Sequence, residues 1–328
     1  MSGLICGFVF SSETAGRAIE ACDALAWLEK PAEETNQEFI WLHFNLSEAS
    51  AEKWMRANLH LPEAFFETLL DDSRSTRIED VDDTLIAVIN DVAFDFSFEP
   101  SEIASLWISV DQRTVVSART HALRSIDHLR VAVKAGDRFD SSIALLIHLM
   151  HDQGDVLVKI LRNATVQVDS IEDGLLAGKL KSKRANLGKL RRVLVRLQRM
   201  LALEPAALFR LLHLPPAWIS TRDLDGLRQS TEEFSLALRD MAALQERIKL
   251  LQEEMAAHVS EQMNRSIFTL TVVTVLALPI NMVAGLLGMN VGGIPLAQNP
   301  RGFFIVTCIV IAFTLIAGWV ASRKKDDF

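Results

Sequence analysis

Two stretches near the end of the chain carry neither a charged side chain nor a histidine. One lies between Arg265 and Arg301, the other between Arg301 and Arg323. In the first, Ile267 to Leu287 are mostly apolar and as an α-helix span roughly 31 Å, about one hydrocarbon thickness of a bilayer. In the second, Gly302 to Ala321 span roughly 30 Å. Soluble helices rarely lack charge on every face over such a length, so both segments are expected to cross a membrane. Only a helix satisfies every backbone group inside lipid without a closed barrel. Pro279 removes one hydrogen bond from the first span and is placed to kink it. The run from Gly288 to Pro295 is glycine-rich and ends that helix.

Charge sets the orientation. Arg323, Lys324 and Lys325 follow the second span, Arg265 precedes the first, and the loop between them has only Arg301. The positive-inside rule then puts both termini in the cytoplasm, on a multi-pass protein of the cytoplasmic (inner) membrane. Leu4 to Phe10 is apolar but short, and no basic region precedes it. It reads as a strand rather than a signal peptide. The 328 residues hold 34 Lys+Arg against 42 Asp+Glu, a net charge of -8. That balance excludes nucleic acid as the main partner, because phosphate binding needs a basic face. Three scattered cysteines make neither a disulfide framework nor a zinc cage.

The preceding 265 residues read as a soluble region. Leu4–Phe10, Phe39–Asn45, Thr84–Val92, Ile103–Val110 and Thr114–Ala118 are short, β-rich runs bounded by polar residues. Ala15–Leu28, Ala49–Ala57, Pro62–Leu70 and Thr120–Ala135 look helical, and the region from Ser141 to Leu203 is rich in helix formers. Pro215 and Pro216 mark a break. Beyond it, Met241, Leu244, Ile248, Leu251 and Met255 recur in steps of three and four, a heptad seam. No Gly or Pro interrupts Leu227–Leu278, so stalk and first span are expected to form one rod from Thr221 to Leu287. The expected architecture is an α+β membrane protein. Residues 1–220 form a cytoplasmic α/β plus helical domain and 221–265 a stalk helix. A transmembrane hairpin over 266–322 has spans at 267–287 and 302–321, and 323–328 is a cytoplasmic tail.

The first span has a polar stripe. Asn264, Thr271, Thr274, Asn281, Gly285 and Gly288 stand at intervals of 7, 3, 7, 4 and 3, and Ile267 and Leu278 complete a seam on that face. A polar stripe in lipid must face protein or water. It either glues helices together or lines a pore built from several copies. Two membrane helices cannot enclose an aqueous path alone, so conduction requires a symmetric oligomer. Thr269 lies off the stripe, where it can bond its own backbone.

Gly288-Met289-Asn290, at the end of the first of two C-terminal spans, resembles the G-M-N signature of the CorA metal-ion transporter family. The following Val291-Gly292-Gly293-Ile294-Pro295 is similar to its zinc-transporter branch, ZntB. The magnesium branch usually has an aromatic residue before G-M-N and an acidic one after the proline, where this chain has Leu287 and Leu296. The resemblance implies a homopentameric funnel with the first span lining the pore. Gly288, Met289 and Asn290 would form its outer mouth and selectivity ring. Asn281, Gly285, Leu278, Thr274, Leu270 and Ile267 would line the path below. It also implies divalent-cation transport, with Zn2+ as preferred cargo and proton coupling in prospect, although the stripe has no titratable side chain. No cofactor is implied. The alternatives are a Mg2+/Co2+ channel of the same family and Zn2+ efflux. A different class is a membrane-anchored metal sensor. No P-loop, G-x-S-x-G, H-E-x-x-H or dinucleotide fingerprint points to an enzyme.

Further candidates lie outside the spans. His148, His151, Asp152 and Asp155 share a helix face, and imidazole with carboxylate suits Zn2+; a plain polar face has the same spacing. Extending the pore phase down the stalk reaches Glu253 and Glu246, either five-fold acidic rings or ordinary exposed side chains. Asp71, Asp72, Glu79, Asp80, Asp82 and Asp83 form an acidic run that either binds cations between subunits or is a solvated loop. The basic segment Lys179–Arg199 faces either lipid headgroups or solvent.

Overall fold

Strand β3 (Phe39–Asn45) is buried along almost its whole length. Its side chains alternate between two helical layers, as the two-residue period of a strand requires. Phe39 and Trp41 face one core with Phe8, Phe10, Leu85 and Ile89. Ile40, Leu42 and Phe44 face the other with Val9, Ile86 and Val116. The computed structural model describes residues 2–11, 14–31, 38–70, 76–93, 103–177, 184–289 and 299–325. Around β3 stand β1 (Leu4–Ser11), β2 (Thr14–Ala18), β4 (Arg77–Val81), β5 (Thr84–Val92), β6 (Ile103–Val110) and β7 (Thr114–Arg119). They form one sheet in the order β2-β1-β3-β7-β6-β5-β4. The β3–β7 pair is parallel and the other pairs are antiparallel.

Helices α1 (Ala21–Leu28), α2 (Ala49–Asn58) and α3 (Glu63–Leu70) supply one layer through Ala24, Trp27, Met55, Phe65 and Phe66. Helices α4 (Arg124–Ala135), α5 (Ser142–Leu176) and α7 (Glu204–His213), with Leu227 of α8 (Thr221–Leu287), supply the other. Helices α6 (Arg184–Leu201) and α9 (Gly302–Lys325) complete the set of described helices. The chain divides into two compact units, Met1–Gln252 and Glu253–Phe328. The stalk stretch 221–252 therefore belongs with the N-terminal unit.

The expected helix over Ala15–Leu28 is in fact an edge strand, β2, followed by the shorter α1. Pairing with β1 overrides local helix preference, with Phe8 opposite Ala18 and Ser11 opposite Thr14. Gly16 allows it: a Cβ there would sit 2.6 Å from the Phe10 ring and 3.0 Å from Val133. Strand β4 and helix α7 carry no clear periodic signal and emerge only in the fold. The β4–β5 turn holds Asp82 and Asp83 at φ 52° and 61°, a conformation unfavourable for residues other than glycine. The Asp80 carboxyl is pushed up by burial and then by Asp83 and Asp82. Asp83→Gly removes strain and repulsion together and should stabilise the N-terminal unit by about 1 kcal/mol. Chemical denaturation of wild type and variant measures it; a loss of stability would show that the Asp83 side chain supports the turn.

The expected seam on α8 is buried at Met241, Leu244, Ile248, Leu251 and Met255. Ion pairs join α5 and its N-terminal approach to α8: Asp140 to Arg222 at 3.0 Å and Asp169 to Arg247 at 2.7 Å, with Glu172 also on Arg247. Partner numbers rise together, so the two helices run parallel. Helix α6 buries Leu187, Leu190, Val193, Leu194, Leu197 and Leu201 and exposes Arg191, Arg192, Arg196 and Arg199. The basic face is thus open, as either headgroup contact or solvation requires; Lys179, Lys181 and Lys183 lie outside the described residues.

A buried polar network fixes α7. Gln153 Nε2 donates to Asn90 O at 2.7 Å and to Glu204 Oε2 at 3.4 Å. Glu204 Oε1 and Gln153 Oε1 are buried and have no partner. Asp91 accepts from the backbone N–H groups of Val92 and Ser125 at 2.7 and 2.8 Å and so caps α4. Burial pushes Asp91 up to about 6 and Glu204 well above the usual carboxylate range.

Candidate ion-conduction site

The C-terminal unit is where the sequence placed an ion path. Two of its helices are long and apolar enough to cross a membrane, and their apolar windows are almost wholly exposed within one protomer. On the distal part of α8, Phe268, Val272, Leu276, Pro279, Ile280 and Val283 are half-buried. At about 100° per residue these fall on one face. The other described helix of the unit, α9, has matching shielded positions at Gly302, Val306, Val310, Thr314 and Gly318. A repeat of every four residues with small side chains allows close helix approach in lipid. Each helix of the unit therefore carries one partly shielded face and leaves the rest of its surface exposed.

The predicted stripe lies elsewhere. Asn264, Ile267, Leu270, Thr271, Thr274, Leu278, Asn281 and Gly285 are all exposed. Their mean direction is roughly 150° around the helix from the shielded face, by the same 100° per residue. The Thr274 hydroxyl is shared between Leu270 O at 3.1 Å and Thr271 O at 2.9 Å, which leaves its lone pairs outward. Among the described residues, no hydrogen bond reaches the side chains of Asn264, Thr271 or Asn281. Thr269 bonds Arg265 O at 2.9 Å, as expected for a hydroxyl off the stripe. A carboxamide in hydrocarbon needs a partner. Within one protomer these have none, so a second copy or water must supply it.

At the upper end, the Gly288 N–H donates to Ala284 O at 3.0 Å, closing the last turn, and Gly288 and Met289 are exposed. A Cβ at Gly288 would meet Ala284 O at 3.0 Å, so a larger residue there must displace backbone. Asn290 and the run to Gln298 lie outside the described residues. Lower on α8, Glu253 is exposed, whereas Glu246 is held by Lys249 at 3.1 Å, which offsets its charge.

The four-residue metal set on α5 does not converge. His148 Nδ1 stands 3.7 Å from Asp152 Oδ2 with its ring stacked on Phe139. His151 turns instead to Glu233 of α8, 3.3 Å away, and Asp155 is exposed. Among the described residues no group of three His, Cys, Asp or Glu could hold a metal. Helical spacing set the four on one side of α5, but tertiary neighbours drew the two imidazoles apart. Glu233 was missed because it is 82 residues from His151 and nothing local signals the pairing. Of the acidic run, Asp71 and Asp72 lie outside the described residues, and Asp82 and Asp83 form the hairpin turn.

Residues 36–323 match the family model described as CorA-like Mg2+ transporter protein. The chain is 28% identical over 325 residues to the divalent cation transporter CmaX of Pseudomonas aeruginosa, covering 98% of this chain and 96% of that one. It is 22% identical over 285 residues to the zinc transport protein ZntB of Pectobacterium carotovorum, covering 87% of each. Among solved structures, full-length CmaX superposes with a TM-score of 0.82 at 27% identity over 98% of both chains. The complete CorA magnesium transporter from Methanocaldococcus jannaschii superposes with a TM-score of 0.79 at 18% identity, over 96% of this chain and 97% of that one, a likeness of fold. With an N-terminal α/β region, a long helix and two apolar C-terminal helices, this membrane protein belongs to the CorA-like Mg2+ transporter family and is a transporter of divalent cations rather than an enzyme.

Proposed function

We propose that this chain carries Zn2+ into the cell through a homopentameric pore lined by the distal part of α8. The observation that carries the reading is the exposed stripe of carboxamide and hydroxyl groups, turned away from the half-buried face of α8. Five copies around one axis turn Asn264, Thr271, Thr274 and Asn281 into polar rings and Ile267 and Leu278 into apolar constrictions. The mouth is Gly288, Met289 and Asn290. Similarity to ZntB supports zinc as cargo, and so does the Gly292-Gly293-Ile294-Pro295 extension. The Arg323–Lys325 cluster supports cytoplasmic termini and an inner-membrane location. A divalent ion moving inward down a negative-inside potential gains about 4.6 kcal/mol per 100 mV, which favours uptake.

A second reading, broader divalent transport including Mg2+, draws on the stripe itself. It has no carboxylate, and neutral oxygens suit an ion that passes with much of its water retained. Similarity to CmaX favours the same breadth. Proteoliposome flux of zinc-65, competed with Mg2+, Co2+ and Ni2+ and run with and without a proton gradient, separates the two. Zinc uptake that resists Mg2+ competition supports the first reading; equal competition supports the second. Asn290→Ala should lower flux of every cation at least tenfold while the pentamer still forms. Unchanged flux in that variant would remove the G-M-N segment from the path.

A further inference from the structure

A cleft of about 400 Å3 lies between α4 and α5 of the N-terminal unit, lined by Arg124, His128, Val156, Lys159, Arg162 and Asn163. Every polar side chain in that lining can present an N–H donor, and none is a carboxylate. On α5, Val156, Lys159, Arg162 and Asn163 follow one helical face; on α4, Arg124 and His128 are one turn apart and half-buried. Arg124, Lys159 and Arg162 make no ion pair or hydrogen bond among the described residues. Arg56, Arg119, Arg130, Arg222 and Arg247 each hold a carboxylate, and the arginines of α6 stand on an open exposed face. In a chain with eight more acids than bases, three cations gather here in one cleft whose lining holds no carboxylate.

The nearest acids do not resolve the imbalance. Asp91 acts electrostatically on Arg124, but its oxygens are committed to the backbone N–H groups of Val92 and Ser125. Asp152 acts on His128 and lies against His148. Neither lines the cleft. Like charges held together repel unless an anion joins them. Two guanidinium forks and an ammonium match the oxygens of linked phosphates, and the volume is within the range of small-molecule sites, about 300–1,000 Å3.

We propose that the α4–α5 cleft binds a small phosphate-bearing anion through Arg124, Lys159 and Arg162, with His128 and Asn163 as further donors. The site is separate from the ion path and does not depend on which cation is carried. The test is calorimetric titration of the full-length protein in detergent with inorganic pyrophosphate at low ionic strength. A parallel arm places the protein in nanodiscs with phosphatidylglycerol or with phosphatidylcholine alone and reads thermal protection. Saturable pyrophosphate binding, weakened at least tenfold in Lys159→Gln/Arg162→Gln and steeply by added salt, supports a soluble ligand. Protection by phosphatidylglycerol alone, lost in the same variant, supports the site with a lipid headgroup as the source. Absence of both signals, or signals unchanged in the variant, overturns the proposal. The two exposed substitutions leave the core intact, and thermal unfolding of the unliganded variant checks this.

Discussion

Asn281→Leu is expected to cut cation flux at least tenfold while leaving the oligomer assembled. The substitution replaces a ring of carboxamides with a ring of isobutyl groups, and an apolar ring of that kind blocks ions by expelling water. A tenfold loss corresponds to about 1.4 kcal/mol on the barrier. One uncompensated hydrogen bond to the passing ion's water is worth that much, so a whole ring is ample. Thr274→Val should act in the same direction but less, because that hydroxyl already spends its proton on Leu270 O and Thr271 O. Val283→Leu, on the half-buried face, is the control and should leave flux unchanged. Proteoliposome flux with the oligomer checked by size exclusion reads all three. Should Asn281→Leu conduct normally while Val283→Leu does not, the stripe is helix glue and the path lies elsewhere.

Glu204→Gln should stabilise the protein above neutral pH and not at pH 5. Glu204 is fully buried, its Oε1 has no partner, and the facing Gln153 Oε1 has none either. One proton on Glu204 lets the carboxyl donate to that amide oxygen while it accepts from Nε2. Its pKa is raised in the folded state, first by burial and then by Asp91. For such an acid the stability is full at low pH and falls as pH rises from the unfolded value through the folded one. Asp91 behaves likewise between its ordinary 3.8 and about 6, a loss of roughly 3 kcal/mol across that window. Arg124 on α4 opposes the Asp91 shift. Glu204 adds a loss of the same sign, which begins at the ordinary glutamate range and runs on to higher pH. Glutamine keeps the shape, cannot ionise and supplies the missing donor, so the gain at pH 8 is on the order of 1–3 kcal/mol. Thermal unfolding in detergent at several pH values measures it. An equal loss at both ends of the range would mean that Glu204 is ionised and paired.

Some of this was legible before any fold was known. Phe39–Asn45, Thr84–Val92 and Ile103–Val110 are strands with those limits, because each is an uninterrupted β-rich run between polar residues. The α8 seam was readable because heptad spacing survives whatever it packs against. Helical spacing failed where pairing off the expected face took over. Edge pairing with β1 made a strand of Thr14–Ala18, Glu233, 82 residues away, took His151 from the expected metal set, and Lys249 on the next turn holds Glu246.

Hydropathy, charge at the flanks and helical period alone determined two membrane-length helices and the positions of a polar stripe, because lipid tolerates no unpaired backbone and side-chain direction follows residue number. Only the tertiary structure decided that the stripe is left open while the opposite face is half-buried, and that three cations meet between α4 and α5 in a cleft lined by no carboxylate. Which faces touch depends on how separate segments pack, and no periodicity within one segment encodes that.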